Sequence, residues 1–194
     1  GTGANRGVAI TSIATGQLGQ RLPGLVPVSM AGSPDGTTLY YAKAGAIWGM
    51  PLGGGDARRI RDGDAVAVDP GGRYLVIEVG DARKVRLFRV PLDGKPESEI
   101  TVRSESRIAV GVYLSSNAVG ADGRIIVQVA LPSSWYYPVA ILDPTSGAMT
   151  LVPPGATADM RGGWSPDGRI VYYTQDLQSA LWRFRPVTPN RGAP

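Results

Sequence analysis

The feature of this sequence that most constrains its fold is a short phrase that occurs four times. The copies are Ser33-Pro34-Asp35-Gly36, Asp69-Pro70-Gly71-Gly72, Gly120-Ala121-Asp122-Gly123 and Ser165-Pro166-Asp167-Gly168. Each copy combines residues that form tight turns, and an apolar, β-prone run follows each one directly. The copies are spaced by roughly 35–50 residues, which is the repeat length expected for the blades of a β-propeller.

The first and last copies show the order of strands within one repeat. In both, the turn is followed by a run of β-branched and aromatic residues, at 37–42 and 169–174. A short loop and a second apolar run come next, at 46–52 and 180–185. Two runs in this order after a tight turn predict the second and third strands of a blade.

The polarity of the remaining segments indicates which of them form the first and fourth strands of a blade. Residues 65–68, immediately before a repeated turn, are continuously apolar, as expected for an inner strand that is buried on both faces. Residues 57–60 carry charge, which protects an outer strand at the edge of a sheet. We therefore predict an all-β protein whose β-propeller blades are four-stranded antiparallel sheets.

Composition limits the chemistry that this chain could carry. The 194 residues include no cysteine and no histidine, so the chain cannot form a disulfide or a Ser-His-Asp triad from its own residues. Ser165 lacks the surroundings of a nucleophile elbow, because Asp167 replaces the required glycine and Pro166 has no N–H to donate. We predict a protein without catalytic residues, a metal site or a cofactor, and no apolar run is long enough for membrane insertion.

The net charge of +4 raises the question of a nucleic-acid surface. The densest basic groups, at 58–61 and 83–86, lie beside acidic residues such as Asp56, Asp62 and Asp81. A nucleic-acid surface would need basic residues clustered on one face, with aromatic residues that stack on bases. We therefore expect no nucleic-acid partner.

The repeat resembles the TolB-like (WD-repeat-like) bacterial β-propeller family. The resemblance is carried by the Ser-Pro-Asp-Gly turn, by a following strand that ends in Tyr-Tyr, and by a later strand with an aliphatic residue before Trp, as in Ile47-Trp48 and Leu181-Trp182. It covers about residues 28–185. Such repeats occur in the periplasmic component of the Tol-Pal system, in the gating propellers of oligopeptidases and in extracytoplasmic parts of bacterial kinases. The resemblance therefore implies a fold and favours a periplasmic or other extracytoplasmic location, but it does not select one function.

The repeat gives a provisional domain map. It places a partial blade at 7–24, blades at about 25–62, 63–104, 105–154 and 155–185, and a Pro-rich C-terminal tail at 186–194. The family resemblance implies that these roughly four blades belong to a larger ring of six or seven. Two alternatives remain open: the N-terminal strands complete the last blade and close a four-bladed ring, or open arrays associate between chains.

The best candidate for binding is the connection at 131–138, which contains Trp135, Tyr136 and Tyr137. In a propeller this connection lies on the same face as the links between blades, and Asp159 and Arg161 belong to one such link. Aromatic residues are favoured at interfaces because they bury a large area with little loss of side-chain entropy. The alternative is that these rings fold onto a neighbouring blade.

These observations favour a non-catalytic binding or scaffold module that displays loops to a protein, peptide or glycan partner, such as the sensor part of a larger bacterial protein. The alternative is an accessory propeller that gates the active site of a hydrolase or oligopeptidase on another domain. A protein or peptide partner is expected in the first case, and self-association is expected if the ring is open.

Overall fold

A computed structural model describes residues 6–132, 136–153 and 161–172, and these residues form sixteen β-strands and no helix. The N-terminal hairpin consists of β1 (Gly7–Thr11) and β2 (Leu18–Pro23). The first four-stranded sheet contains β3 (Ser29–Gly32), β4 (Thr38–Lys43), β5 (Ala46–Pro51) and β6 (Arg58–Asp62). The second contains β7 (Ala65–Val68), β8 (Tyr74–Gly80), β9 (Val85–Pro91) and β10 (Ser98–Ile100). The third contains β11 (Arg107–Ile108), β12 (Ile125–Ala130), β13 (Val139–Leu142) and β14 (Met149–Leu151), and a two-stranded sheet follows with β15 (Gly162–Trp164) and β16 (Ile170–Tyr172).

Every sheet is antiparallel, and within each one the spatial order of the strands is their order along the chain. Successive sheets contact each other through their inner strands, since β7 approaches β3 and β4, and β15 approaches β12. This arrangement is the radial stacking of propeller blades, so the predicted fold class is confirmed.

The repeated phrase forms the same turn in all four copies. The N–H groups of Gly36, Gly72, Gly123 and Gly168 each donate to the carbonyl oxygen three residues earlier, at 2.8–2.9 Å. All four glycines have φ between 69° and 84°, a left-handed conformation that residues with a side chain rarely adopt. The turn therefore connects the first strand of each sheet to the second in one fixed geometry.

The hydrophobic core lies between neighbouring sheets. β7 is buried on both faces, as predicted: Val66 and Val68 pack toward the first sheet, and Ala65 and Ala67 pack toward the third. Ile47 is completely buried between the first and second sheets. The N-terminal hairpin packs on the other side of the first sheet, where Val8 contacts a cluster around Leu39 and Tyr41.

The third sheet departs from the repeat. The strand just before each turn is predicted to be the innermost one, yet β11 ends twelve residues before Gly120 and only a single bridge, Val119 to Ile125, continues the pairing near the turn. Residues 110–117 leave the strand as an excursion between the hydrogen bonds Ala109 N–H to Gln128 and Ile126 N–H to Ala118. This excursion contacts the sheets on both sides, as described below.

Candidate binding face

The strand order gives the stacked sheets two faces. The repeated turns and the connections between third and fourth strands lie on one face, which we call the turn face. The connections between second and third strands lie on the other, together with the links that lead from one sheet to the next, and we call this the link face. In an antiparallel sheet whose strands follow chain order, alternate connections must fall on opposite faces.

The structure places three of the five predicted binding residues, and the topology puts all three on the link face. Tyr136 and Tyr137 are half-buried in the connection from β12 to β13, and Gln128 Nε2 donates to the carbonyl of Tyr137 at 3.1 Å. Arg161 is exposed immediately before β15. Trp135 and Asp159 lie outside the described residues. Binding by any of these residues stays a prediction.

A pocket on the link face was not predicted from the sequence. It lies between the connection from β8 to β9 and the link from β10 to β11, and its volume is about 270 Å³. Three cationic side chains line it, those of Arg83, Lys84 and Arg107. The lining also includes Ser104 and Ser106, whose hydroxyls donate and accept hydrogen bonds. We call this the basic pocket.

Aliphatic side chains form the remainder of the basic pocket. Val85 and Ile108 are buried in the core between the second and third sheets, and half-buried Val102 packs against the same core. Among the described residues, no aromatic ring lines the pocket. The site therefore combines an apolar wall that is anchored in the core with a cationic rim.

The cations of the basic pocket carry no ion pair. Among the salt bridges of the described residues, none includes Arg83, Lys84 or Arg107. The nearby Arg86 differs, since it lies 4.0 Å from Glu99 and 5.3 Å from the centroid of the Phe88 ring. The rim thus keeps cationic groups that no described carboxylate neutralises by direct contact.

Asp81 shapes the loop that presents two of these cations. Its Oδ1 accepts the backbone N–H groups of Arg83 at 2.7 Å and Lys84 at 2.9 Å, and these bonds lower the pKa of Asp81. The charge of Asp81 also acts on Lys84, but the side chains of Arg83 and Lys84 form no direct ion pair with it and line the pocket. Glu105 is the acidic residue of the opposite loop, and it is exposed.

The sequence indicates only some of the residues that form the basic pocket. The basic cluster at 83–86 is visible in the sequence, where its acidic neighbours argue against a nucleic-acid surface. The structure shows that Asp81 bonds to the backbone and that Arg86 faces a different partner. Arg107 comes from another sheet, and its approach depends on how the two blades stack, which sequence spacing did not indicate.

Glu78 is the second functional candidate that sequence reasoning missed. Its side chain is only 2% exposed, and its Oε2 accepts the N–H of Leu114 in the excursion at 2.9 Å. Burial raises the pKa of Glu78 to about 7, with the nearby charge of Asp64 acting in the same direction and the Leu114 bond opposing both. At its other end the excursion bonds to the last sheet, where Asn117 accepts from the N–H of Trp164 and donates to its carbonyl.

The described residues hold no cluster of three or more acidic side chains suited to a metal ion, and no helix among them could span a membrane. Ser165 is part of its turn: its Oγ donates to Asp167 and accepts the N–H of Arg169 at 3.1 Å. The glycines at 53–55 lie in the connection from β5 to β6, without a following helix to cradle phosphate.

No protein-family model and no curated protein matches this sequence. Solved structures do match the fold. TolB from Acinetobacter baumannii superposes with a TM-score of 0.66 at 21% identity, over 88% of this chain and 43% of that one. A putative TolB from Agrobacterium tumefaciens gives a TM-score of 0.65 at 20% identity, over 86% of this chain and 60% of that one. The hydrazine synthase of Kuenenia stuttgartiensis gives 0.57 at 16% identity, over 86% and 49%.

The stacked four-stranded sheets and their repeated turns define this chain as a β-propeller. Its propeller is TolB-like, as the resemblance of the repeat implied. The chain spans 43% and 60% of the two TolB structures, and the hydrazine synthase shows that a similar arrangement also occurs in a chain of an enzyme.

Proposed function

We propose that this chain is a non-catalytic binding module whose link face receives a protein or peptide partner. The observation that carries the proposal is the basic pocket: it has an apolar wall that belongs to the core between two blades, and cations that pair with no described carboxylate. Preorganised sites of this kind favour binding because few groups must be ordered when the partner arrives. A TolB-like propeller supports the assignment, since rigid blades hold the loops in place.

In the described residues, the serine hydroxyls that bond to a carboxylate do so within their own turns. The hydroxyl of Ser165 bonds to a carboxylate within its own turn, and Glu78 is enclosed by the excursion. These surroundings favour a role in binding over one in catalysis.

Paired variants of the full-length protein test the proposal. Tyr136→Ala combined with Arg161→Ala alters the link face, and Thr37→Ala combined with Arg169→Ala alters the turn face. Tagged proteins are recovered from cells of the source organism, and the captured proteins are quantified by mass spectrometry. We expect the link-face variant to lose a partner that the turn-face variant retains. Equal capture by both variants, or a loss confined to the turn-face variant, would overturn the proposal.

A second candidate is an accessory propeller attached to an enzyme. The fold of the hydrazine synthase chain supports this possibility, because a comparable propeller lies there within an enzyme. The complete coding sequence decides the matter: an adjoining catalytic domain favours the accessory role, and its absence favours the binding module. We further propose an extracytoplasmic location, which fractionation of the source cells would test.

The arrangement of blades in the full protein is also a proposal. The chain covers about half of the larger TolB structures, which supports a ring with more blades than this chain supplies. If the ring is open, the exposed blade faces should associate. Analytical ultracentrifugation of the 194-residue chain at several concentrations distinguishes a monomer from such an assembly.

A further inference from the structure

We propose that the basic pocket binds an acidic–aliphatic peptide segment, in which a carboxylate side chain lies next to an aliphatic one. This inference rests on the proposed binding function and identifies the chemistry of the partner. It starts from the composition of the pocket wall, where Arg83, Lys84 and Arg107 stand beside Val85 and Ile108.

Charge complementarity indicates the acidic part of the ligand. Arg83, Lys84 and Arg107 converge on one pocket from two loops, and no described carboxylate pairs with them. Asp81 is held by backbone N–H groups and reduces the positive potential only in part. Arginine binds a carboxylate through two parallel hydrogen bonds, and the serine hydroxyls of the pocket add further donors.

The wall of the pocket indicates the aliphatic part. Val85, Val102 and Ile108 line the same pocket as the three cations. A small inorganic anion would satisfy the cations and leave this surface uncovered, whereas a peptide segment can cover both. Bases of nucleic acids are usually bound by stacking on aromatic rings, and no ring of the described residues lines this pocket.

The size of the pocket limits how much of a partner enters it. Its volume of about 270 Å³ lies just below the range of about 300–1,000 Å³ that is usual for whole small-molecule ligands. The pocket therefore suits a short segment of a larger partner. The flanking residues of that partner would then lie across the link face, toward the excursion and the connection at 131–138.

The test uses a fluorescein-labelled peptide in which aspartate and glutamate alternate with leucine. Fluorescence anisotropy gives its Kd for the full chain at low salt. The matched probes are the same peptide with asparagine and glutamine in place of the acids, the same peptide with alanine in place of leucine, inorganic phosphate as a competitor, and a single-stranded DNA oligonucleotide. We expect the acidic–leucine peptide to bind more tightly than both altered peptides.

Variants locate the binding. Arg83→Gln combined with Arg107→Gln should raise the Kd of the acidic peptide by up to about thirtyfold, because each exposed cation contributes one solvent-screened ion pair. The control is Arg21→Gln combined with Arg58→Gln, which removes the same charge from exposed arginines outside the pocket. Circular dichroism spectra and thermal midpoints equal to the wild type show that both variants are folded.

Several results would overturn the inference. The control variant could weaken binding as much as the pocket variant does, or the uncharged or the alanine peptide could bind as tightly as the acidic–leucine peptide. Phosphate could displace the peptide completely at a matched concentration, or the oligonucleotide could bind more tightly than the peptide. Each of these results would refute binding of an acidic–aliphatic segment in the basic pocket. None of them would refute the proposed binding function, which the capture experiment with Tyr136→Ala and Arg161→Ala tests separately. Loss of partner capture in the link-face variant together with no peptide binding would place the partner elsewhere on that face.

Discussion

The buried carboxylate of Glu78 makes the stability of this propeller depend on pH in an unusual direction. Glu78 lies between the second sheet and the excursion of the third, and the N–H of Leu114 is its hydrogen-bond donor. Substitution by glutamine keeps an oxygen for this bond and removes the ionisable group. The comparison of Glu78→Gln with the wild type therefore isolates the cost of the buried charge.

The sign follows from the two pKa values. The pKa of Glu78 is about 7 in the folded protein and 4.5 for an ordinary glutamate. Below pH 4.5 the group is protonated in both states. Between these values the unfolded chain releases the proton first, so ionisation favours unfolding and the free energy of unfolding falls as the pH rises toward 7. Above pH 7 the full effect is present.

The size of the effect is about 3 kcal/mol, because a change in pKa from 4.5 to about 7 corresponds to about 1.4 kcal/mol for each pH unit. We expect Glu78→Gln to match the wild type near pH 4.5 and to be more stable by up to that amount at pH 8. Both proteins keep the bond to the Leu114 N–H, and its preference for the ionised carboxylate is already included in the pKa of about 7.

Urea denaturation followed by tryptophan fluorescence measures this difference at pH values from about 4.5 to 8. The matched control is Glu105→Gln, since Glu105 is exposed and forms no ion pair among the described residues. Its difference from the wild type should not change with pH. A difference between Glu78→Gln and the wild type that stays constant over this range would refute the reasoning.

Three further substitutions, two of them with a control variant, test the interactions that stabilise the blades. Urea denaturation measures the free energy of unfolding of each variant. Asp69→Asn should lower the free energy of unfolding by about 1–3 kcal/mol near neutral pH, because buried Asp69 accepts two hydrogen bonds from the Arg73 side chain. Burial alone would raise the pKa of Asp69, but the bonds from Arg73 lower it. The difference between variant and wild type should therefore disappear as the pH falls through that lowered pKa. Gly63→Ala, between β6 and β7, should lower the free energy of unfolding by about 1–3 kcal/mol, since the added Cβ would lie 2.5 Å from Ile77 and 2.9 Å from Ile47. The control Gly53→Ala has open space around it and should leave the stability nearly unchanged. Ile47→Ala should cost about 2–5 kcal/mol by leaving a cavity between two sheets, and Ile13→Ala, at a fully exposed position, should cost almost nothing.

The elements that local chemistry determines were predictable from the sequence. The turn glycines, the buried inner strand at 65–68 and the charged outer strand β6 follow from residue type and pattern, and the structure shows each of them. β1 pairs with β2 within the segment at 7–24, and the assignment of that segment to a partial blade stays a prediction. Such features depend on neighbours within a few residues, which a single sequence displays.

Features that depend on stacking were not predictable. Glu78 stands in a strand whose pattern does not show which neighbour covers it, and its bonding partner Leu114 lies in an excursion that interrupts another sheet. The basic pocket has the same origin, because Arg83 and Arg107 meet only when two blades pack together. The role of Asp69 was not predicted: it accepts the backbone N–H of Arg73 and forms an ion pair with the side chain of the same residue.

Site-specific photo-crosslinking in living cells tests most directly whether the link face is the surface that binds. Benzoylphenylalanine is placed at position 107 or 161 on the link face, and at position 37 or 169 on the turn face, in the full-length protein. We expect crosslinked partners from the first two positions and none above background from the last two. Adducts that arise only from positions 37 and 169 would contradict the proposed function.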